Sequence, residues 1–365
     1  MTRPAQAVIN LQNLKDNYQI AKAHSSQAYA VIKADAYGHG ILPVAHALSD
    51  ADGFAVACMD EALHLRQEGI KNPILVLEGG FDKQEWLSAI EYDVEMALHH
   101  QSQLDILLTD PCFTQVKLWL KVDIGMNRLG FHFEECDSIF KQCQSANLNI
   151  KVLMSHFPCA DDIAQQKTEH QFSRLEKIFN QQQIVWPDLV MSSNNSAAII
   201  AWPNVSDHIS RPGIILYGSS PLISDNSITD HLSTDMLKPV MTLKSNIVFV
   251  RTIQAGESIG YGDSWIAKRT TRVGIVALGY GDGYPRTAPS GAPVYCHNQR
   301  ISLIGRVSMD MVCIDITDLD PADIGSEVEF WGENINASEV AKLCNTISYE
   351  LFCQVTPRVK RTYIQ

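Results

Sequence analysis

Reading the chain at the carboxyl ends of its apolar runs yields a small set of groups able to do chemistry together. AYAVIK ends on Lys33. KLWLKVD carries Lys121 and Asp123, with Arg128 just beyond, and KVLMSHF carries Ser155 and His156. LVMSSNN runs on into Ser196, and HIS is followed by Arg211, Pro212 and Gly213. Each group has a plain structural use of its own. A strand lysine can snorkel to water, a histidine can pack, an arginine can pair with a surface carboxylate, and Asn or Ser can cap the next helix. A lysine, a histidine, two arginines and a hydroxyl-amide cluster at successive strand ends point instead to one reaction centre.

The hydroxyl-amide cluster fits a phosphate. SSNNSAA supplies hydroxyls and backbone N–H groups and then opens the helical SAAIIAW, whose N-terminus attracts anions. RPGI adds a glycine where backbone can approach closely. A lysine facing a phosphate cradle suggests pyridoxal phosphate, which needs a lysine for its covalent bond, a cradle for its phosphate and a group on its ring nitrogen.

Such a set must be positioned by a regular scaffold. The apolar runs at 28–33, 53–58, 74–79, 95–99, 117–123, 151–157, 189–195 and 208–210 alternate with amphipathic stretches such as 60–69, 134–147 and 168–181. Eight strands alternating with helices predict an α/β fold, a (β/α)8 TIM-type barrel with its site at the C-terminal strand ends. Residues 221–238 lose periodicity and read as a connector. Beyond them β-branched and aromatic runs at 239–253, 271–280, 292–307 and 326–332 predict a mostly-β domain, interrupted by one helix over 336–347 capped by Asn336 or Ser338. The expected division is a barrel over 1–232 and a β-rich domain over 233–365.

Composition narrows the partners. A net charge of −12 and a pI near 5.4 argue against nucleic acid, which demands a basic face. No apolar run approaches the ~20 residues that span a bilayer. The N-terminus lacks the apolar core of a secretory signal. Nine cysteines, never spaced C-x-x-C, make neither a disulfide framework nor a zinc site. No metal is expected, and the reducing cytoplasm is the expected compartment.

Several motifs then carry a family resemblance. VIKADAYGHG (31–40), KVDIGMNRLGF (121–131), SHF (155–157), NSAA (195–198), RPGIILYG (211–218), GYGDS (260–264), GYGDGYPR (279–286) and GRVSMDM (305–311) resemble, in order and over nearly the whole chain, the alanine racemases, a pyridoxal-phosphate-dependent fold-type III family. The resemblance implies that Lys33 carries the cofactor and is the base for D-alanine, and that Tyr261 is the opposed base for L-alanine. It implies that Arg211 meets the pyridine nitrogen, that Tyr37, Ser196, Gly213 and Ile214 hold the phosphate, and that His156 bridges Arg211 and Tyr261. Arg128 and Met309 would lie at the substrate carboxylate, and Tyr284 at the entrance to the site. Tyr261 and Met309 would arrive from a second subunit, making a head-to-tail homodimer with shared sites. Lys121 matches a position that many members carry as a carbamate paired with the arginine corresponding to Arg128; the alternative is an unmodified lysine paired with Asp123. One position departs from the pattern: Pro357 stands where some members have a tyrosine on the phosphate, and Tyr349 is not an evident replacement.

Other readings fit less of the chain. A decarboxylase of basic amino acids has a similar barrel and β domain but needs an acidic partner for the ring nitrogen, where this chain has Arg211. A racemase for serine or for basic amino acids fits the same pocket residues. A barrel-only cofactor carrier leaves the β domain unused. GYGDG lacks the strand–GxGxxG–helix context of a nucleotide site.

Overall fold

The computed structural model describes residues 3–164, 166–203, 205, 207–222 and 236–365. Eight parallel strands follow one another around a barrel: Gln27–Val31, Gly53–Val56, Ile74–Val76, Glu95–Leu98, Lys117–Asp123, Asn149–Met154, Val190–Ser192 and Ile209–Ser210. The last pairs with the first, Ile209 opposite Gln27 and Ser210 opposite Ala28. The gap between the seventh and eighth is bridged by His208 N–H to Met191 O at 3.1 Å and Arg211 N–H to Asn194 O at 2.8 Å. These strands read as unbroken apolar runs because both faces are covered: Gly53–Val56 and Ile74–Val76 are buried at every position. The expected helices appear as Met59–Gln67, Cys136–Ser145 and Lys167–Gln183.

The second domain is built on an eight-stranded sheet. Thr271–Val276 pairs with both Val312–Asp315 and Met241–Ile253, closing six of its strands into a ring. The expected helix is Ala337–Leu343, and Asn336 is its cap, accepting from Ser338 N–H at 2.9 Å. A second helix, Ser348–Gln354, and two strands, Val312–Asp315 and Lys360–Ile364, were not anticipated.

The amino-terminal strand corrects the expected division. Gln6–Asn10 does not join the barrel; it lies between Met241–Ile253 and Lys360–Ile364 in the second sheet. Its alternating burial, with only Ala7 and Ile9 inside, suits a sheet covered on one face. The boundary at 232/233 falls outside the described residues. The two parts are tied directly. Asn17 Nδ2 donates to Lys238 O at 2.8 Å, and Arg361 Nε to Gly38 O at 2.7 Å.

Candidate active site

The first barrel strand passes through buried Ile32 to Lys33, and the backbone then takes an unusual course. Ala34, Asp35, Ala36 and Tyr37 have φ of 53°, 55°, 52° and 52°, one turn of left-handed helix. This costs an L-residue about 1–2 kcal/mol each, so the surroundings must hold it. Ala34 N–H donates to Glu61 Oε1 at 2.7 Å, and Ile41 N–H to Asp35 Oδ1 at 2.8 Å. His39, fully buried, places Nδ1 at 2.9 Å from Tyr37 O and 3.1 Å from Ala36 O; two carbonyl acceptors fix the proton on Nδ1. A Cβ on Gly38 would stand 2.2 Å from Phe352 O, so the turn and the helix Ser348–Gln354 are in backbone contact. The result is that Lys33 and Tyr37 face one cavity.

That cavity measures about 780 Å³, within the ~300–1,000 Å³ usual for small-molecule sites. On one side of it lie Tyr37, Ser196, Gly213 and Ile214. Ser196 Oγ accepts Gly213 N–H at 2.8 Å, which leaves its hydroxyl proton to donate elsewhere. A Cβ on Gly213 would come within 2.7 Å of the Tyr37 hydroxyl, so only glycine leaves this space open. Open space beside hydroxyl donors fits a phosphate, and Lys33 and Arg211 line the same cavity for the rest of a pyridoxal group.

The electrostatics are dominated by cations: Lys33, Lys121, Arg128 and Arg211 line the cavity against the carboxylates of Glu78 and Asp161. Arg211 is buried and pinned, its two terminal nitrogens donating to Ser192 Oγ and Ser155 O. Burial lowers its guanidinium to about 10, still charged at neutral pH, and Asp207 opposes that shift. Burial and then Arg211 and Arg128 pull Lys121 down to about 7. Lys121 makes no ion pair with Asp123 within 4 Å; Asp123 Oδ1 accepts from Gly125 and Met126 N–H at 2.7 and 2.9 Å. Removal from water, with the four cations around it, holds His156 well below its usual value and therefore neutral. Its Nε2 lies 3.4 Å from Asn195 Nδ2, the amide that also caps the helix Ser196–Ala201.

Three expected residues lie elsewhere. Tyr261 and Met309 are outside the cavity, 68% and 53% exposed on the second domain. Tyr284 is fully buried between Phe330 and Trp331 and lines no part of the Lys33 cavity, so its entrance role is withdrawn. GYGDGYPR holds two tyrosines, and the one that reaches the surface is Tyr280. Conversely, Tyr349 does line the cavity, its ring 5.8 Å from that of Tyr37, while Pro357 does not. The position in ISYE carried no local signal for this; helix Ser348–Gln354 brings it there.

His39 yields a pH prediction. Burial holds its imidazole down at about 4, against 6.5 in the unfolded chain. Between these values the unfolded state binds a proton that the folded state does not, so stability falls as pH drops through this window. From pH 7.5 to 5 the loss from this one group is roughly 2 kcal/mol. Urea unfolding of His39→Asn, which keeps a side-chain N–H but does not titrate, will show an acid loss smaller by about that amount. An identical loss in both proteins would refute it.

Comparison with known proteins places this geometry in context. The models for "Alanine racemase, N-terminal domain" and "Alanine racemase, C-terminal domain" match residues 9–221 and 240–363. The alanine racemase of Pseudomonas fluorescens is 45% identical, the alignment covering 100% of this chain and 99% of that protein. The catabolic alanine racemase of Pseudomonas putida is 44% identical over 99% of each chain. The biosynthetic alanine racemase of Pseudomonas aeruginosa superposes with a TM-score of 0.91, 40% identity and 100% of both chains covered. The alanine racemase of Bartonella henselae, solved with covalently bound pyridoxal phosphate, gives a TM-score of 0.88, 28% identity and 99% of both chains covered. The chain belongs to the alanine racemase family.

Proposed function

We propose that this protein interconverts L- and D-alanine, using pyridoxal phosphate and two opposed bases, as a homodimer with shared sites. The observation that carries the reading is a division of labour. Lys33, Arg211 and the phosphate cradle converge on one cavity, while Tyr261 and Met309 stand exposed outside it. A second copy supplies what the first lacks. No described helix is long and apolar enough to cross a membrane. All nine cysteines are unpaired, as the reducing cytoplasm favours. D-Alanine supply for peptidoglycan and alanine catabolism both fit, and the relatives carry both names.

When bound, the cofactor delocalises the electron pair left on the substrate Cα after proton loss. The protein's residues do the rest. Tyr37, Ser196 and the backbone of Gly213 and Ile214 hold the phosphate. Arg128, with Met309 of the second copy, orients the substrate carboxylate. Lys33 Nζ exchanges the α-proton on one face and the Tyr261 oxygen of the second copy exchanges it on the other, so inversion needs no movement of substrate. Neutral His156, beside Arg211, is suited to link Arg211 to the Tyr261 phenolate. Tyr349 adds a hydroxyl to the phosphate side, next to Tyr37.

The test is isotopic. In D2O, Tyr261→Phe will slow α-proton exchange from L-alanine by on the order of 10²-fold or more, and exchange from D-alanine much less. Equal losses would reject the assignment of faces.

Arg211 restrains the cofactor. An arginine keeps its proton up to a pKa above ~12 in water and has no acceptor, so it leaves the pyridine nitrogen unprotonated. A ring so held would withdraw electrons less strongly, and Lys33 and Tyr261 would return the proton to Cα ahead of side reactions. Arg211→Glu is expected to raise pyruvate formed per racemisation event by about tenfold or more, read by a coupled lactate dehydrogenase assay. An unchanged ratio would rule this out.

Lys121 is proposed to be a carbamate. At about 7 its amine is substantially neutral near physiological pH. Its nitrogen can add to the carbon of CO2 with loss of one proton, replacing a cation by an anion beside Arg128. Native mass spectrometry in bicarbonate buffer will show one added CO2 that is missing from Lys121→Ala. A wild-type mass in bicarbonate that lacks the added CO2 would exclude it.

A further inference from the structure

Met309 is half-exposed and sits on a short loop, and its side chain has three rotatable bonds. A contact of that kind is useful only if its backbone is fixed. The loop is indeed clamped, and a buried carboxylate outside the cavity is the centre of the clamp. Asp282, fully buried, accepts Arg3 Nη2 on Oδ2 at 2.6 Å and Arg3 Nε on Oδ1 at 3.2 Å. Gly279 N–H donates to Oδ2 at 2.9 Å, and Arg358 Nε lies 3.4 Å from Oδ1. Both arginines continue past Asp282 to the residue after Met309: Arg3 Nη2 donates to Asp310 O, and Arg358 Nη2 to Asp310 Oδ1 at 2.6 Å.

The backbone repeats the pattern. Tyr280 N–H donates to Ser308 O at 3.1 Å and Gly281 N–H to Met309 O at 2.8 Å, while Ser308 N–H closes the loop onto Met311 O at 3.0 Å. A Cβ on Gly281 would stand 2.4 Å from Arg358 Nη1 and 3.0 Å from Met309 O, so the two segments are in direct contact. Arg3 belongs to the chain's first described residues, immediately before the strand Gln6–Asn10 that lies in the second sheet. That strand delivers Arg3 to the loop.

We propose that Asp282 is a positioning residue for the substrate site, holding the Met309 loop through Arg3 and Arg358 in the one conformation that meets the cavity of the second copy. The proposal rests on the reading of Met309 as a contact to the substrate carboxylate. Removing one member of a buried ion cluster leaves the others uncompensated, so the loop loosens rather than simply losing one bond. Its effect falls on substrate binding and not on the cofactor, which is held by the barrel of the other copy.

Steady-state kinetics of the purified holoenzyme with L-alanine test this, with the cofactor band near ~420 nm as control. Asp282→Asn and Arg358→Gln should each raise KM by about threefold or more, with kcat within about twofold and the visible band unchanged. In a Met309→Ala background Asp282→Asn should add little, because the two act through one contact. Wild-type KM in both variants, or a full additional rise in the Met309→Ala background, would overturn the proposal. If Asp282→Asn does not fold, half-exposed Arg358→Gln decides alone. An unchanged KM in Met309→Ala itself would remove the premise, and the proposal with it. A raised KM there with normal Asp282→Asn and Arg358→Gln would remove the proposal only.

Discussion

The turn at residues 34–37 is backbone of the wrong hand for L-amino acids, and the site depends on it. Four such residues at about 1–2 kcal/mol each amount to roughly 4–8 kcal/mol, comparable with the whole ~5–15 kcal/mol stability of a typical domain. None of the four is a glycine, so local propensity cannot supply it. It is held from outside: by Glu61 in the first turn of the helix Met59–Gln67, by His39 capping two carbonyls, and by Arg361 and the backbone of Phe352 from the second domain. Docking of the β domain is therefore a condition for placing Lys33 and Tyr37, not a separate event.

A second constraint is charge. Lys33, Lys121, Arg128 and Arg211 share one cavity, and His156 stays neutral through its burial and, secondarily, their charge. Like charges in a partly desolvated space repel, so the bare cavity is a destabilised arrangement. A phosphate and a substrate carboxylate offset it, and a ligand that binds only the folded state stabilises it in proportion. Burial, with the same repulsion added to it, pulls Lys121 towards neutrality, and a neutral amine is the form that can add CO2. A cluster that would be a fault in a structural core works here as an anion trap.

Much of this is legible in the sequence, for identifiable reasons. Barrel strands are buried on both faces, so they appear in sequence as unbroken apolar runs, and their chemistry sits at their ends: Lys33, Lys121, His156 and Arg211 were found that way. The failures are equally physical. Gln6–Asn10 is too short and too alternating to declare which sheet it enters, since its partners lie more than two hundred residues away in one case and more than three hundred in the other. ADAY contains nothing that announces a left-handed turn. Tyr349 reaches the cavity through the packing of a short helix, and GYGDGYPR offered two tyrosines of which the buried one was chosen. Spacing reports which face of an element a residue takes; it does not report what a distant element brings next to it.

In the proposed dimer, the exposure of Tyr261 and Met309 bears on how a shared site would be kept accurate. Two groups supplied across a subunit boundary lose the rigidity of a common core, and a displacement near 1 Å is enough to cost a reaction about a hundredfold. The second domain answers this differently at the two positions. Tyr261 lies in a tight segment between the short strands Ser258–Ile259 and Trp265–Ile266, with Gly260 and Gly262 at φ of 76° and 70° setting its course. Met309 lies in a longer loop between the paired strands Gln299–Ile304 and Val312–Asp315, held by backbone hydrogen bonds from Tyr280 and Gly281 and, in addition, by the buried Asp282 and the two arginines that reach past it to Asp310. One contact is thus held by backbone pairing alone and the other by backbone pairing reinforced by an ion cluster. Both belong to the same folded domain, whose first strand and last strand lie side by side. On that proposal the amino-terminal arm and the carboxyl-terminal strand matter to a cavity that neither lines, because together they brace the surface that one copy would present to the other.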